Sequence, residues 1–168
     1  NGINANAGNV NIVSSLAQIL LDQASLDASV TTGSGKGGKI TVTANNSSVT
    51  VPSATFHADG LDTGAGGEIR ISVAAAQPVV MTSPNLAITA VGGVNAPGGI
   101  VVVSNNGTFL VNKVIKVTSG VFVTDPAVFG GSISLNGETC QKTLTSYSWP
   151  TNYWNCVNPG SATSTEEI

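Results

Sequence analysis

The chain has 168 residues, of which 41% are hydrophobic and only 9% are charged, whereas a typical soluble domain is about 25% charged. Six Lys and Arg stand against nine Asp and Glu, so the sequence lacks the basic surface that binding to nucleic acid or to anionic lipid requires. It also lacks an apolar run approaching the ~20 residues of a membrane-spanning helix.

The first residues of the sequence indicate that the chain belongs to a longer protein. The sequence contains no signal peptide and opens abruptly at Asn1, so we expect the chain to be a mature piece or an excised part of a longer protein. Residues 3–9, INANAGN, look like the last strand and turn of a preceding repeat unit.

A glycine-rich turn followed by a strand then recurs along the chain. It reads GKGGKITVTA at 35–44, GAGGEIRISV at 64–73, APGGIVVVSN at 96–105 and VFGGSISLNG at 128–137. Equivalent strands lie 29 to 32 residues apart, and their apolar residues alternate with mostly polar ones, which is the pattern of a half-buried strand. The expected inward pairs are Val10 with Ile12, Ile40 with Val42, Ile69 with Ile71, Val101 with Val103, and Ile133 with Leu135.

Each repeat unit, from one glycine turn to the next, contains two further short apolar stretches, so we predict three strands per unit. The segment SSLAQILLDQA at 14–24 is ambiguous, because Ser15 could cap an amphipathic helix there. Ile19 and Leu21, however, precede Val49 and Val51 by 30 residues. We therefore predict a strand for this segment.

Three short strands per unit and a near-constant period predict an all-β parallel β-helix of about four to five coils. A β-sandwich would have antiparallel neighbours, and a propeller blade usually needs four strands and ~40 residues or more. The Gly-Gly pairs are expected at tight corners. Lys39 and Glu68 both follow such a pair and should be neighbours on adjacent coils.

The GxGGxIxV units, interleaved with ASLDASVTTGSGKGG and TFHADGLDTGAGG, resemble the repeats of the filamentous haemagglutinin family, the large secreted adhesins of Gram-negative two-partner secretion systems. Some autotransporter passengers are similar. The resemblance covers roughly residues 3–137 and implies a right-handed β-helical stalk, export to the bacterial cell surface, and a role in adhesion or biofilm formation. It transfers no catalytic residue. The family's amino-terminal secretion domain is not recognisable, so the chain should be part of the stalk or the distal end.

After Gly137 the repeat gives way to the segment ETCQKTLTSYSWPTNYWNC. Cys140 and Cys156 are expected to form a disulfide, as in exported proteins, rather than to stay as reduced thiols. The enclosed loop is interpreted as a cap over the last coil or as a recognition site, and the two roles are compatible. Its candidate binding residues are Tyr147, Trp149, Tyr153 and Trp154.

Three domains follow from this division of the chain. Residues 1–137 are expected to form the β-helix repeats, 138–158 the aromatic disulfide loop, and 159–168 a disordered polar tail.

The stretch HADGLD at 57–62 is the strongest catalytic candidate, and we interpret it as a solvated turn with His57 facing outward. The alternative is a β-helical polysaccharide lyase or hydrolase, with Asp27, Asp59 and Asp62 as its candidate carboxylates. Asp27 and His57 sit near corresponding positions of adjacent coils and could form an acid-histidine pair. Glycoside cleavage usually needs two carboxylates about 5–10 Å apart. We predict no enzyme activity, no cofactor and no metal, because neither a GGxGxD repeat nor a phosphate-binding loop is present.

The resulting hypothesis is a secreted or surface-exposed bacterial adhesin. Its expected partner is a glycan or protein receptor on a host cell or matrix, with no nucleic acid. Attachment to the outer membrane would occur only through the rest of the protein or its transporter, and self-association is a further expectation. Two alternatives stay open: the carbohydrate-active enzyme, and a structural spacer that binds nothing.

Overall fold

The structure, a computed structural model, describes residues 5–73, 79–81, 87–94, 96–104, 110–111, 115–116, 132–135, 138–139, 141–144, 152–158 and 161–167. Every regular element within these ranges is a strand. The described part of the chain accordingly contains no helix with the length and apolar character needed to cross a membrane.

The strands are short and follow the repeat units along the chain. They are β1 (Asn9–Ser14), β2 (Ile19–Asp27), β3 (Lys39–Ala44), β4 (Val49–His57), β5 (Glu68–Val73), β6 (Val79–Met81), β7 (Ala87–Thr89), β8 (Ile100–Ser104), β9 (Leu110–Val111), β10 (Ile115–Lys116), β11 (Ser132–Leu135), β12 (Glu138–Thr139), β13 (Gln141–Leu144), β14 (Asn152–Asn158) and β15 (Ser161–Glu167).

The first sheet contains the strands that follow the glycine turns, in the order β1-β3-β5-β8-β11-β12. Its first five strands are parallel, and β12 pairs antiparallel with β11. The register confirms the spacing read from the sequence, since each inward residue pairs with its equivalent one unit along. One such row is Val10, Ile40, Ile69, Val101 and Ile133.

The second sheet is built from the remaining strands of the units. β4 pairs in parallel with β2 on one side and with both β6 and β7 on the other, and β9 and β10 continue the sheet beyond them. The segment that could have been helical is a strand from Ile19 onward, as predicted, after a bend at residues 15–17.

The number of strands differs from the prediction in the first two units. The second and third predicted strands are joined there into the single nine-residue strands β2 and β4. The register shifts by a residue around Asp22, and Gln23 has a positive φ of 52°. Pro52 lies opposite this irregularity and lacks the N–H that a regular ladder needs. The irregularity has the form of a β-bulge and lies where we expected one strand to end and the next to begin.

The core consists of rows of like apolar side chains from successive units. Ile40, Ile69 and Val101 form one row and are fully buried. Their equivalent in the first unit, Val10, is only half-buried. The other fully buried large side chains are Val42, Val49, Val51, Phe56, Ile71, Val79, Ile88 and Val103.

Backbone hydrogen bonds close each unit on itself. The N–H groups of Gly38, Gly67 and Gly99 donate to the carbonyls of Ala28, Ala58 and Ala90, with N–O distances of 2.7, 2.6 and 2.6 Å. A side chain at Gly67 would collide with the carbonyl oxygen of Gly38 in the unit before it. These corners therefore need glycine for close approach of two backbones.

The third sheet lies at the carboxyl-terminal end and is antiparallel, in the order β13-β14-β15. β15 approaches β9 and β10, while β14 approaches β11 and β12. β15 (Ser161–Glu167) lies within residues 159–168, which we expected to be a disordered tail. Pairing with β14 satisfies the backbone groups on one side of the strand, and its two threonines are favourable in strands.

Candidate functional site

The predicted aromatic binding residues are only partly within the described ranges. Tyr147 and Trp149 lie outside them. Tyr153 and Trp154 belong to β14, where Tyr153 pairs with Thr143 and Glu167, and Trp154 pairs with Lys142 and Glu166. Both are therefore in the central strand of the third sheet.

The predicted disulfide stays a prediction, because Cys140 lies outside the described residues. Cys156 is in β14, opposite Ser164 of β15.

The residues of the catalytic alternative all lie within the described range 5–73. Asp27, His57 and Thr89 occupy one register position in the successive strands β2, β4 and β7. His57 is half-buried and lies between Phe56 and Ala58, which are fully buried. The outward position predicted for His57 is confirmed.

A hydrogen-bonded cluster joins His57, Thr89 and Asp59. His57 Nδ1 lies 2.7 Å from Thr89 Oγ1, and Thr89 Oγ1 donates to Asp59 Oδ2 at 2.8 Å. The other carboxylate oxygen, Asp59 Oδ1, accepts from the Val91 N–H at 2.7 Å. His57 Nδ1 and Asp59 Oδ2 are 3.8 Å apart.

The direction of these bonds fixes the tautomer of His57. A threonine hydroxyl has a single proton, and in this cluster that proton goes to the Asp59 carboxylate. Thr89 Oγ1 must therefore accept from His57, so Nδ1 carries the imidazole proton. In this arrangement Thr89 cannot give its proton to His57, as an activated nucleophile would.

Asp27 and Asp59 are connected through Ser29. Asp27 Oδ1 accepts from the Ser29 N–H at 2.8 Å, and Ser29 Oγ accepts from the Asp59 N–H at 3.0 Å. Together with Thr89 and Val91, these bonds brace the turns of three successive units. Such side-chain to backbone bonds are typical of Asp and Ser in turns.

Sequence reasoning found Asp27, His57 and Asp59 but missed Thr89 and Ser29. A signal was available for Thr89, because it follows His57 by 32 residues and Phe56 aligns with Ile88. Asp62 is not in the cluster: it accepts from Ser34 Oγ at 3.3 Å and has a positive φ of 53°.

A second charged group lies on the outward face of the first sheet. Glu68 Oε2 is 3.3 Å from Lys39 Nζ, and Arg70 Nε contacts Glu68 Oε1. Burial raises the pKa of Glu68, but hydrogen bonding and charge from Arg70, and then from Lys39, outweigh that effect and hold the pKa below its ordinary value. The predicted contact between Lys39 and Glu68 is confirmed.

Within the described ranges, no three or more His, Cys, Asp or Glu side chains are grouped so that they could hold a metal ion. Comparison of the chain with family models, with curated proteins and with solved structures finds no match.

Proposed function

We propose that the chain forms a right-handed parallel β-helix that acts as the rigid stalk of a secreted or surface-exposed bacterial adhesin. The resemblance of its glycine-cornered units to the filamentous haemagglutinin repeats leads to this function. The stalk presents a binding surface away from the cell and contributes to attachment or biofilm formation.

One observation carries the proposal: equivalent residues pair in parallel along five successive strands of the first sheet. The row from Val10 to Ile133 is in register throughout. The second sheet joins equivalent residues in the same way, for example Leu26, Phe56 and Ile88. A chain that winds in one direction produces both rows, and right-handed connections between parallel strands of one sheet are strongly favoured.

The binding surface is proposed at the carboxyl-terminal end. The third sheet approaches the last strands of the two parallel sheets, as a cap over a repeat array would. Aromatic side chains dominate binding hot spots and stack on sugar rings. The proposed contact residues are Tyr147, Trp149, Tyr153 and Trp154, in a loop closed by Cys140 and Cys156.

Binding of the purified chain to a glycan array and to matrix-coated surfaces tests this function. The chain should bind, and Trp149→Ala with Trp154→Ala should abolish binding while the circular dichroism spectrum is kept. Val94→Ala is the matched control, since Val94 is an exposed apolar residue in the repeats. Binding that survives the double tryptophan change would contradict the proposed surface.

The two alternatives predict other results. A structural spacer binds no receptor, and its loop changes alter only stability. A polysaccharide lyase or hydrolase cleaves a polymer, and changing Asp27, His57 and Asp59 together abolishes cleavage. The hydrogen bonds of Asp59 favour a structural role for this cluster.

A further inference from the structure

Asp59 and Gly60 form the one Asp-Gly pair of the sequence, since none of the other four aspartates is followed by glycine. An aspartate in this position can react with its own backbone. The backbone nitrogen of the next residue attacks the side-chain carboxyl carbon, and glycine allows this attack most readily because it has no Cβ to obstruct the approach. Among the aspartates of the chain, Asp59 is therefore the one most prone to this reaction.

The fold keeps both residues of the pair at this corner. A Cβ at Gly60 would collide with the carbonyl oxygens of Gly64 and Ala65, so the close approach of the backbones here requires glycine. The carboxylate of Asp59 is needed as well, because both of its oxygens accept hydrogen bonds from the third unit. The chemical stability of the pair thus depends on how its two reacting groups are held.

The two reacting groups are held by the same neighbouring segment. Asp59 Oδ1 accepts from the Val91 N–H at 2.7 Å, and Asp59 Oδ2 accepts from Thr89 Oγ1 at 2.8 Å. The Gly60 N–H donates to the Val91 carbonyl at 2.8 Å. For the attack, the Gly60 nitrogen has to lose this proton and approach the Asp59 carboxyl carbon in the right orientation. Breaking these hydrogen bonds is therefore part of the cost of the reaction.

The backbone of Asp59 is held from the other side as well. Its N–H donates to Ser29 Oγ at 3.0 Å, and its carbonyl accepts from the Val30 N–H at 3.0 Å. Ring closure requires rotation about the bond between the Cα and the carbonyl carbon of Asp59. Because the first unit holds the backbone and the third unit holds the side chain, neither can turn without losing a partner.

We propose that Asp59-Gly60 is a latent site of spontaneous backbone modification, and that the hydrogen bonds from Thr89 and Val91 keep it unreacted. In the reaction that they prevent, the Gly60 nitrogen forms a bond to Asp59 Cγ, and the carboxyl OH leaves with the Gly60 proton as water. The product is a succinimide ring. Water then opens the ring at the side-chain carbonyl, which restores aspartate, or at the main-chain carbonyl, which gives isoaspartate.

Isoaspartate would disrupt the stacking of the units. The backbone then runs through the former side chain of Asp59 and is longer by one methylene group. The bonds from Val30 to Asp59 and from Gly60 to Val91, which join three successive units, could not both be kept. The cluster of His57, Thr89 and Asp59 therefore has a role in the chemical durability of the repeat, and this role does not depend on the proposed adhesin function.

Ageing of the purified chain at neutral pH, in buffer and in urea, tests the proposal. Isoaspartate at residue 59 is measured in proteolytic peptides by electron-transfer fragmentation, which distinguishes the two isomers of equal mass. The unchanged chain should react much more slowly in buffer than in urea. Thr89→Val removes one hydrogen bond to a charged group and should raise the rate in buffer about tenfold, which corresponds to about 1.4 kcal/mol. In urea it should have no effect, because residues 59 and 89 are 30 positions apart in the sequence.

Three control variants separate the hydroxyl of Thr89 from other causes. Thr89→Ser keeps a hydroxyl and should react as slowly as the unchanged chain. Thr50→Val makes the same change outside the cluster, in β4, and should leave the rate unaltered. Ile69→Ala weakens the buried core without touching the cluster, so it should accelerate the reaction far less than Thr89→Val does.

Three results would overturn the proposal. One is an unchanged chain that forms isoaspartate as fast in buffer as in urea. Another is a Thr89→Val chain that reacts no faster than Thr50→Val. The third is an acceleration in Ile69→Ala as large as in Thr89→Val, since protection would then come from global stability. If Thr89→Val loses its circular dichroism spectrum, the unchanged chain decides by its rates in buffer and in urea.

Discussion

Glu68 lies directly beside Lys39, one repeat unit away, with 3.3 Å between Oε2 and Nζ. The contact follows from the parallel register, because both residues come immediately after a Gly-Gly pair and so occupy equivalent positions in β3 and β5. The ion pair on the outward face and the paired core residues on the inward face therefore indicate the same register of β3 and β5.

The lowered pKa of Glu68 makes part of the stability depend on pH. A carboxyl whose pKa is lower in the folded state stabilises the fold above its unfolded pKa, and this contribution disappears as the pH falls through the folded pKa. We expect Glu68→Gln to reduce the free energy of unfolding by only about 0.2–1 kcal/mol at pH ~7, because the ion pair is exposed.

Urea unfolding of both proteins at decreasing pH is the check. The difference in the free energy of unfolding between the unchanged chain and Glu68→Gln should shrink as the pH falls below the ordinary glutamate pKa of about 4.3. If the two free energies of unfolding differ by the same amount at neutral and acidic pH, the charge of Glu68 does not cause the difference.

Ile69 tests the packing of the core rows. It is fully buried between Ile40 and Val101, so Ile69→Ala leaves a cavity and should cost about 2–5 kcal/mol. Ile100→Ala is the matched control, since Ile100 is in the neighbouring strand but 43% exposed, and it should change stability by no more than about 0.5 kcal/mol. Similar losses for both changes would be inconsistent with the buried row.

The glycine corners allow a similarly paired experiment. A Cβ at Gly67 would meet the backbone of Gly37 and Gly38, whereas a Cβ at Gly8 would have nothing within 4 Å. Gly67→Ala should therefore force neighbouring units apart, at a cost of about 1–3 kcal/mol, while Gly8→Ala should be close to neutral. The measurement is the midpoint of urea unfolding, compared between variants whose free energy of unfolding has the same dependence on urea concentration. Equal midpoints for Gly67→Ala and Gly8→Ala would exclude a close approach of two backbones at Gly67.

Thr89 holds the His57 cluster together. Thr89→Val keeps the branched shape but removes the hydroxyl that His57 and Asp59 share, and a loss of about 1–3 kcal/mol is expected because both partners are part-buried. The control is Thr50→Val, because the Thr50 hydroxyl accepts a hydrogen bond from the exposed Gln18. We also expect nitrogen NMR shifts of the neutral imidazole to show the proton on Nδ1, and a proton on Nε2 would refute the bonding scheme.

The repeat made much of the fold predictable from the sequence. Once Ile40, Ile69 and Val101 are aligned, their parallel pairing and burial follow from the period and from the alternation of apolar residues. The outward positions of Lys39, Glu68 and His57 follow from the same alignment. The sequence of each unit was enough to predict its pairing and burial, because each unit repeats the environment of the unit before it.

Features outside the repeat were not predictable in this way. The bulge at Asp22 lies opposite Pro52 of the next unit, and the pairing of β14 with β15 depends on contacts that the repeat period does not reveal. In the candidate site, Thr89 was missed because a single threonine in a strand is unremarkable by itself. Only the register, which joins it to His57, gives it a role.

Methyl-to-methyl NOE measurements on isotopically labelled protein test the central claim most directly. Parallel stacking in register predicts contacts from Ile40 to Ile69 and from Ile69 to Val101, with none from Ile40 to Val101. Cross-peaks that instead join Ile40 to Ile71 and Val42 to Ile69, as an antiparallel pair would give, contradict the account.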